Sequence, residues 1–161
     1  GLSNTELGKL HAGSVAIGGN DGQSGGVSVS GAADFANAGN VLLDAGEGNL
    51  DIGAALNTKS LLTLTSYNQV AQSAGGIITA PALEARGSLV ELGQANAVGV
   101  IAGGASSGTF HFGAAGNLSV GLAGSTSGIT TLGGEIAVKA GGQLAIDKSV
   151  DAGADALHKS S

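Results

Sequence analysis

Cysteine, methionine and tryptophan are missing from this 161-residue chain, and proline occurs once. The lack of cysteine excludes disulfides, thiolate metal sites and a cysteine nucleophile. It also fits a protein that must stay unfolded until it has left the cell. With three phenylalanines and one tyrosine, the core cannot take a large part of its buried area from aromatic rings. Six basic residues, Lys9, Lys59, Arg86, Lys139, Lys148 and Lys159, are scattered through a chain of net charge −6. No basic stripe interleaved with aromatics exists, which removes the electrostatic ground for nucleic-acid binding. No apolar run is long enough to cross a bilayer as a helix. No secretory signal is visible, and the chain starts at Gly1 rather than Met, so it reads as a fragment or a processed product.

What is present is glycine, 31 residues of it, together with much alanine and small aliphatics. Glycine and serine content favours disorder. The positive mean hydropathy, the charged fraction of 11% and the many alternating aliphatic segments favour a packed core instead. Collagen is excluded, because glycine does not fall at every third position. Small, uniform side chains suit a thin core between closely spaced strands.

Strand signals dominate. Apolar residues alternate in SVAI (14–17), GVSVS (26–30), NLDI (49–52), LTLT (62–65), TFHF (109–112), NLSV (117–120), EIAV (135–138) and QLAI (143–146). Each stretch is four or five residues long, and turn formers (Gly, Asn, Ser, Asp) lie between them. Helix signals are thin. The opening SNTELGKLH carries a capping-box pattern at Ser3 and Glu6. SYNQVAQSA (66–74) is a weaker helical candidate and reads better as an irregular excursion.

One phrase recurs: DAGEGNLDI (44–52), GAAGNLSV (113–120) and KAGGQLAID (139–147). Val41/Leu43 precede Leu50/Ile52 by nine residues, and Phe110/Phe112 precede Leu118/Val120 by eight, as Ile136/Val138 precede Leu144/Ile146. An Ala-Gly step joins each pair, at Ala45-Gly46, Ala115-Gly116 and Ala140-Gly141. At longer range Val27 to Leu50 is 23 residues, Leu89 to Phe110 is 21 and Phe110 to Ile136 is 26. An imperfect repeat of about 20–26 residues lies in the solenoid range. Strands this short cannot bury both faces as separate hairpins. If each repeat is one coil, strands of successive coils form parallel sheets about 4.8 Å apart, and inward residues stack into one thin core. Leu144 and Ile146 then point inward, while Gln143, Ala145 and Asp147 point outward. The Gly-Asn steps at 39–40, 48–49 and 116–117 place asparagines at comparable corners. A sandwich or antiparallel barrel, with longer strands and hairpin turns, fits less well. The strict six-residue period of a left-handed hexapeptide helix is not sustained.

The order of phrases resembles the haemagglutinin-repeat β-helix of filamentous-haemagglutinin-type exoproteins and related autotransporter passengers. GLSNTELGKLHAGSVAIGG resembles the family's passage of a short Ser/Asx-x-x-Glu-Leu helix before AG-x-hydrophobic-x-Ile-Gly. LEARGSLVELGQANAVGVIAG, TFHFGAAGNLSVG and GITTLGGEIAVKAGGQLAID resemble its body repeat. The resemblance implies an all-β fold, a right-handed parallel β-helix (β-solenoid), exported through an outer-membrane transporter of a Gram-negative bacterium and displayed or released as a rod. On this reading 1–161 is one solenoid segment of a longer protein, with 1–12 a cap, 13–150 coils and 151–161 a polar tail. No N-terminal secretion motif, C-terminal barrel or toxin domain is visible.

Chemistry-bearing patterns are sparse. Gly104-Ala105-Ser106-Ser107-Gly108 and Gly22-Gln23-Ser24-Gly25-Gly26 match G-x-S-x-G. A nucleophile elbow needs a helix next, and no helical pattern follows either. His11, His111 and His158 are far apart, whereas histidine metal sites need converging ligands. His111, between Phe110 and Phe112, should point outward into solvent. Asp44, Glu47 and Asp51 are neighbours, as are Asp147, Asp151 and Asp155. Such acids could gather calcium on an outer face, or serve only as spaced surface charge. Arg86 is the chain's one guanidinium, and nothing marks it as a base. GGNDGQSGG (18–26) faintly resembles a calcium nonapeptide, but that motif works in tandem. Asn117-Leu118-Ser119 is a glycosylation acceptor triplet.

No catalytic, cofactor or metal residue is therefore assigned, and no enzyme activity is expected. The sequence reads as a structural shaft segment of a secreted or surface-exposed adhesin. Contact with host or neighbouring cells and end-to-end self-association are its expected partnerships, with no nucleic acid and no membrane insertion. The alternative is a carbohydrate-active or calcium-binding β-helix working through the clustered acids.

Overall fold

The computed structural model describes residues 1–19 and 25–153. It is all-β apart from one helical turn, α1 (Asn4–Leu7). The strands are β1 (Ala12–Gly18), β2 (Val27–Val29), β3 (Ala33–Phe35), β4 (Ala38–Asp44), β5 (Leu50–Ile52), β6 (Leu56–Thr58), β7 (Leu61–Thr65), β8 (Gln69–Gln72) and β9 (Ile78–Gly87). They continue with β10 (Leu89–Ala105), β11 (Phe110–Ala114), β12 (Leu118–Val120), β13 (Leu122–Ala123), β14 (Thr126–Ser127), β15 (Ile129–Thr131), β16 (Ile136–Ala140), β17 (Leu144–Ile146) and β18 (Val150–Asp151). All but two join one large, nearly closed sheet whose pairings are parallel. Among the described residues the antiparallel pair is β13–β14, two residues a side. This parallel pairing is what the short strands and glycine-rich corners predict, and it excludes a sandwich of hairpins.

Register turns the sequence repeat into columns. On one face Val15, Val41, Leu62, Leu83, Ile101, Val120 and Ile146 stand one above another. On a second face the column is Val27, Leu50, Val70, Val90, Phe110 and Ile136. A third, shorter column holds Ala33, Leu56 and Ile78. The middle members of these columns are fully buried, and each large aliphatic removed from water contributes about 1.5–3 kcal/mol. The expected steps Val27 to Leu50 and Phe110 to Ile136 are both register pairs; Phe110's other partner is Val90, one residue on from the expected Leu89. Corners fall where the Ala-Gly steps stand. Ala45 is buried and Gly46 takes φ 55, a left-handed turn that glycine makes without a Cβ clash.

Two local expectations need correction. The segment 66–74 is neither helix nor excursion: Gln69–Gln72 is strand β8, with Val70 buried in the second column. Its neighbours in the stack supply the pairing that its polar sequence does not advertise. Strands are also not uniformly short. β9 has 10 residues and β10 has 17, because β10 runs round a corner. Leu89–Glu91 pair with β8, and Ala97–Ala105 pair with β9, with an irregularity between Leu92 and Asn96. At the Gly-Asn steps, Asn40 accepts from Ser60 Oγ at 3.0 Å and Asn117 from the Gln143 N–H at 2.8 Å.

Candidate functional site

The residues singled out in sequence scatter over the molecule. Asp44 and Asp51 lie on different faces, Asp44 in β4 and Asp51 in β5. Asp44 Oδ1 accepts the Gly46 N–H at 2.9 Å and so shapes its own corner. Asp147 accepts from the Ser119 hydroxyl, and Asp151 Oδ1 accepts the Gly153 N–H at 2.9 Å. Among the described residues no three acidic or histidine side chains are placed to share a metal ion. Asp155, His158 and residues 22–24 of the first G-x-S-x-G lie outside the described residues. At the second, strand β10 ends at Ala105 and strand β11 follows, so the helix an elbow requires is absent there. Ser106 and Ser107 donate their N–H groups to Gly87 and Ser88 at 2.9 and 3.1 Å, making an ordinary corner of the stack. His11 is exposed.

His111 points outward between buried Phe110 and Phe112, but it is not merely solvated. Nδ1 meets Glu91 Oε2 at 2.9 Å and Nε2 meets Glu135 Oε1 at 3.2 Å. Glu91 pairs with His111 in the ladder, and Thr109 Oγ1 donates to Glu91 Oε1 at 2.6 Å. These hydrogen bonds clamp neighbouring rows from outside.

Two arrangements were invisible in the sequence. Asn96 is wholly buried at the corner of β10. Its Oδ1 accepts the Ile78 N–H at 2.9 Å, and its Nδ2 faces the carbonyls of Gly113 at 3.0 Å, Leu92 and Gln94 at 3.2 Å, and Gln72 Oε1 at 3.3 Å. The amide thus supplies the bonds the ladder loses where β10 bends, as buried backbone groups require. No buried side-chain polar atom among the described residues lacks a partner.

The second arrangement centres on Arg86. After Val120 the chain leaves the stack as the hairpin β13–β14 and returns at Ile129. This hairpin lies over buried Glu84. Glu84 Oε1 accepts from Thr126 Oγ1 at 3.0 Å and from Arg86 Nε at 3.2 Å, and Oε2 accepts the Ser125 N–H at 3.3 Å. Arg86 Nη2 also donates to Thr126 Oγ1. Gly124, at φ +61, sits so close that a Cβ there would lie 2.2 Å from Glu84 Oε2; only glycine fits both the angle and the space. The carboxylate is paired and hydrogen-bonded, which is what its burial demands. The Arg86 side chain remains half exposed (53%) beside two hollows. The only sequence clue was the Glu-x-Arg spacing of 84 and 86, which puts both on one face of a strand.

Among the described residues no helix is long and apolar enough to cross a membrane. Comparison of the chain with protein-family models, with curated proteins and with solved structures finds no match.

Proposed function

We propose that this chain is a right-handed parallel β-helix serving as a shaft segment of a secreted or surface-exposed bacterial adhesin. The observation that carries the reading is the column register. Rows of aliphatic residues recur at about 20-residue steps around one thin core, as in quasi-one-dimensional repeat proteins. Each added row lengthens such a stack by about 4.8 Å without a new core design. The resemblance to haemagglutinin-repeat exoproteins supports the same reading. It brings with it a Gram-negative host, passage through an outer-membrane transporter, and no enzymatic role.

Antibodies against residues 1–161 test the location. Labelling of intact, unpermeabilised cells that carry the parent gene is the expected result; labelling only after permeabilisation overturns it. A crystal structure tests the winding, which must be right-handed, with coils in parallel register.

A further inference from the structure

One ladder of outward-facing positions runs through Arg86. Asp44 stands opposite Thr65, Thr65 opposite Arg86, Arg86 opposite Gly104, and Gly104 opposite Thr130. Parallel neighbours are about 4.8 Å apart. Carboxylate, hydroxyl, guanidinium, bare backbone and hydroxyl therefore follow one another along a line parallel to the stack.

Two hollows share this ladder and meet at Arg86. One, of about 290 Å³, is bounded by Asp44, Thr65, Tyr67 and Ser106. The other, of about 430 Å³, passes over Gly104 to Thr130 and is walled by Ser125 and Ser127 of the hairpin. Tyr67, 63% exposed, offers an aromatic surface in the first hollow.

The charges define the ligand class. Glu84 already balances Arg86, and Asp44 adds a further negative charge, so the groove offers no surplus attraction for a phosphate or an acidic polymer. A guanidinium carries five N–H donors; Glu84 and Thr126 engage one each. An extended peptide would need an unpaired strand edge, but these ladder positions are already paired on both sides. A neutral saccharide fits the donor and acceptor pattern. Its hydroxyls donate to Asp44 and accept from Arg86, while its C–H face rests on the Tyr67 ring, an apolar surface with few placed polar groups around it.

We propose that the groove from Asp44 through Arg86 to Thr130 binds a linear neutral oligosaccharide lying parallel to the stack. The site requires only the ladder and its walls, whatever the length of the parent protein. It is a binding site without a catalytic pair.

Isothermal titration of the 161-residue chain with neutral β-1,4-linked glucan, xylan and mannan hexasaccharides tests this, with an oligogalacturonate of equal length as the acidic comparator. Saturable binding of at least one neutral probe is expected, tighter than that of the acidic one. Tyr67→Ala, at an exposed position, should keep the circular dichroism of the parent and weaken binding about tenfold or more. Asp44→Asn, which retains an acceptor for Gly46, should weaken it less, and Lys139→Ala on the other face should change nothing. No neutral probe binding at about 10 mM, well above the millimolar end of the affinity scale, overturns the proposal. So does undiminished binding by Tyr67→Ala, or a preference for the acidic chain. Surface labelling of cells is unaffected by either result, so this site and the shaft reading fail separately.

Discussion

The two ends of the stack are built from similar residues and finished differently. At the N-terminal end α1 lies across the first rows. Its Leu7 is 4% exposed, Asn4 Oδ1 accepts the Asp34 N–H at 2.9 Å, and Asn37 Nδ2 donates to the Gly8 carbonyl at 3.0 Å. At the C-terminal end Leu144 and Ile146 stand directly on Leu118 and Val120. Leu118 and Val120 are buried, whereas Leu144 and Ile146 are 43% and 55% exposed among the described residues. Column and aliphatic character are the same; among the described residues a further row lies above Leu118 and Val120 and none above Leu144 and Ile146. Burial here is conferred by the adjacent row more than by the row itself, so stability resides largely in row-to-row interfaces.

The sharpest way to break this comparison is to truncate one column at two heights. Leu83→Ala, mid-column and fully buried, should cost about 2–5 kcal/mol in denaturant unfolding. Ile146→Ala in the same column should cost about 1 kcal/mol or less, because a half-exposed side chain has less burial to lose. Equal losses would mean that the last described row is covered in solution. Asn96→Ala, far from both ends, comes next. It orphans the Ile78 N–H and the Gly113 carbonyl, at about 1–3 kcal/mol for an unsatisfied buried group. Hydrogen exchange should show both ends losing protection together if the stack unfolds as one unit.

Gly124→Ala forces a left-handed angle on a residue with a Cβ, costing about 1–2 kcal/mol before the Glu84 contact is counted. Exchange at the Ser125 amide should speed up while rows at both ends keep their protection. The smallest effect concerns the helical end. The Ser3 backbone N–H and hydroxyl, both bonded to Glu6, hold its carboxyl below the ordinary glutamate value of 4.5. A depressed folded value means that the contribution is present above the unfolded value and lost as pH falls through the folded one. Acidification from about pH 5, just above the ordinary glutamate range, should therefore loosen α1, seen by NMR as faster exchange at Leu7 and Leu10. The Leu144 and Ile146 amides should not respond in that window.

The sequence was most informative where structure is local. Ser3 and Glu6 form the capping box that their spacing predicts, because a cap is decided within four residues. Alternation at Val41/Leu43 and Leu50/Ile52, and the corner at Ala45-Gly46, were legible for the same reason. The register of whole rows was partly legible, since the repeat is imperfect: steps on one face run from 18 residues, Leu83 to Ile101, to 26, Val120 to Ile146. The Arg86 ladder, the Glu91–His111–Glu135 clamp and the Asn96 hub all join different rows. Until each step length is known, no local pattern says that Asp44, Thr65 and Arg86 share a line. The hairpin β13–β14 was missed because AGSTSG carries turn residues but no alternating flanks long enough to read as strands.

That hairpin has a consequence for how such a chain can change. Ile101 faces Val120 while Gly103, two residues on, faces Ile129, nine residues on from Val120. The extra segment is extruded sideways, and the Gly128 N–H bonds the Gly121 carbonyl at 2.8 Å to close its neck. The molecule thus accommodates an insertion between two residues of one row while the layers on either side keep their alignment, and the extruded segment is held in place by its bonds to Glu84.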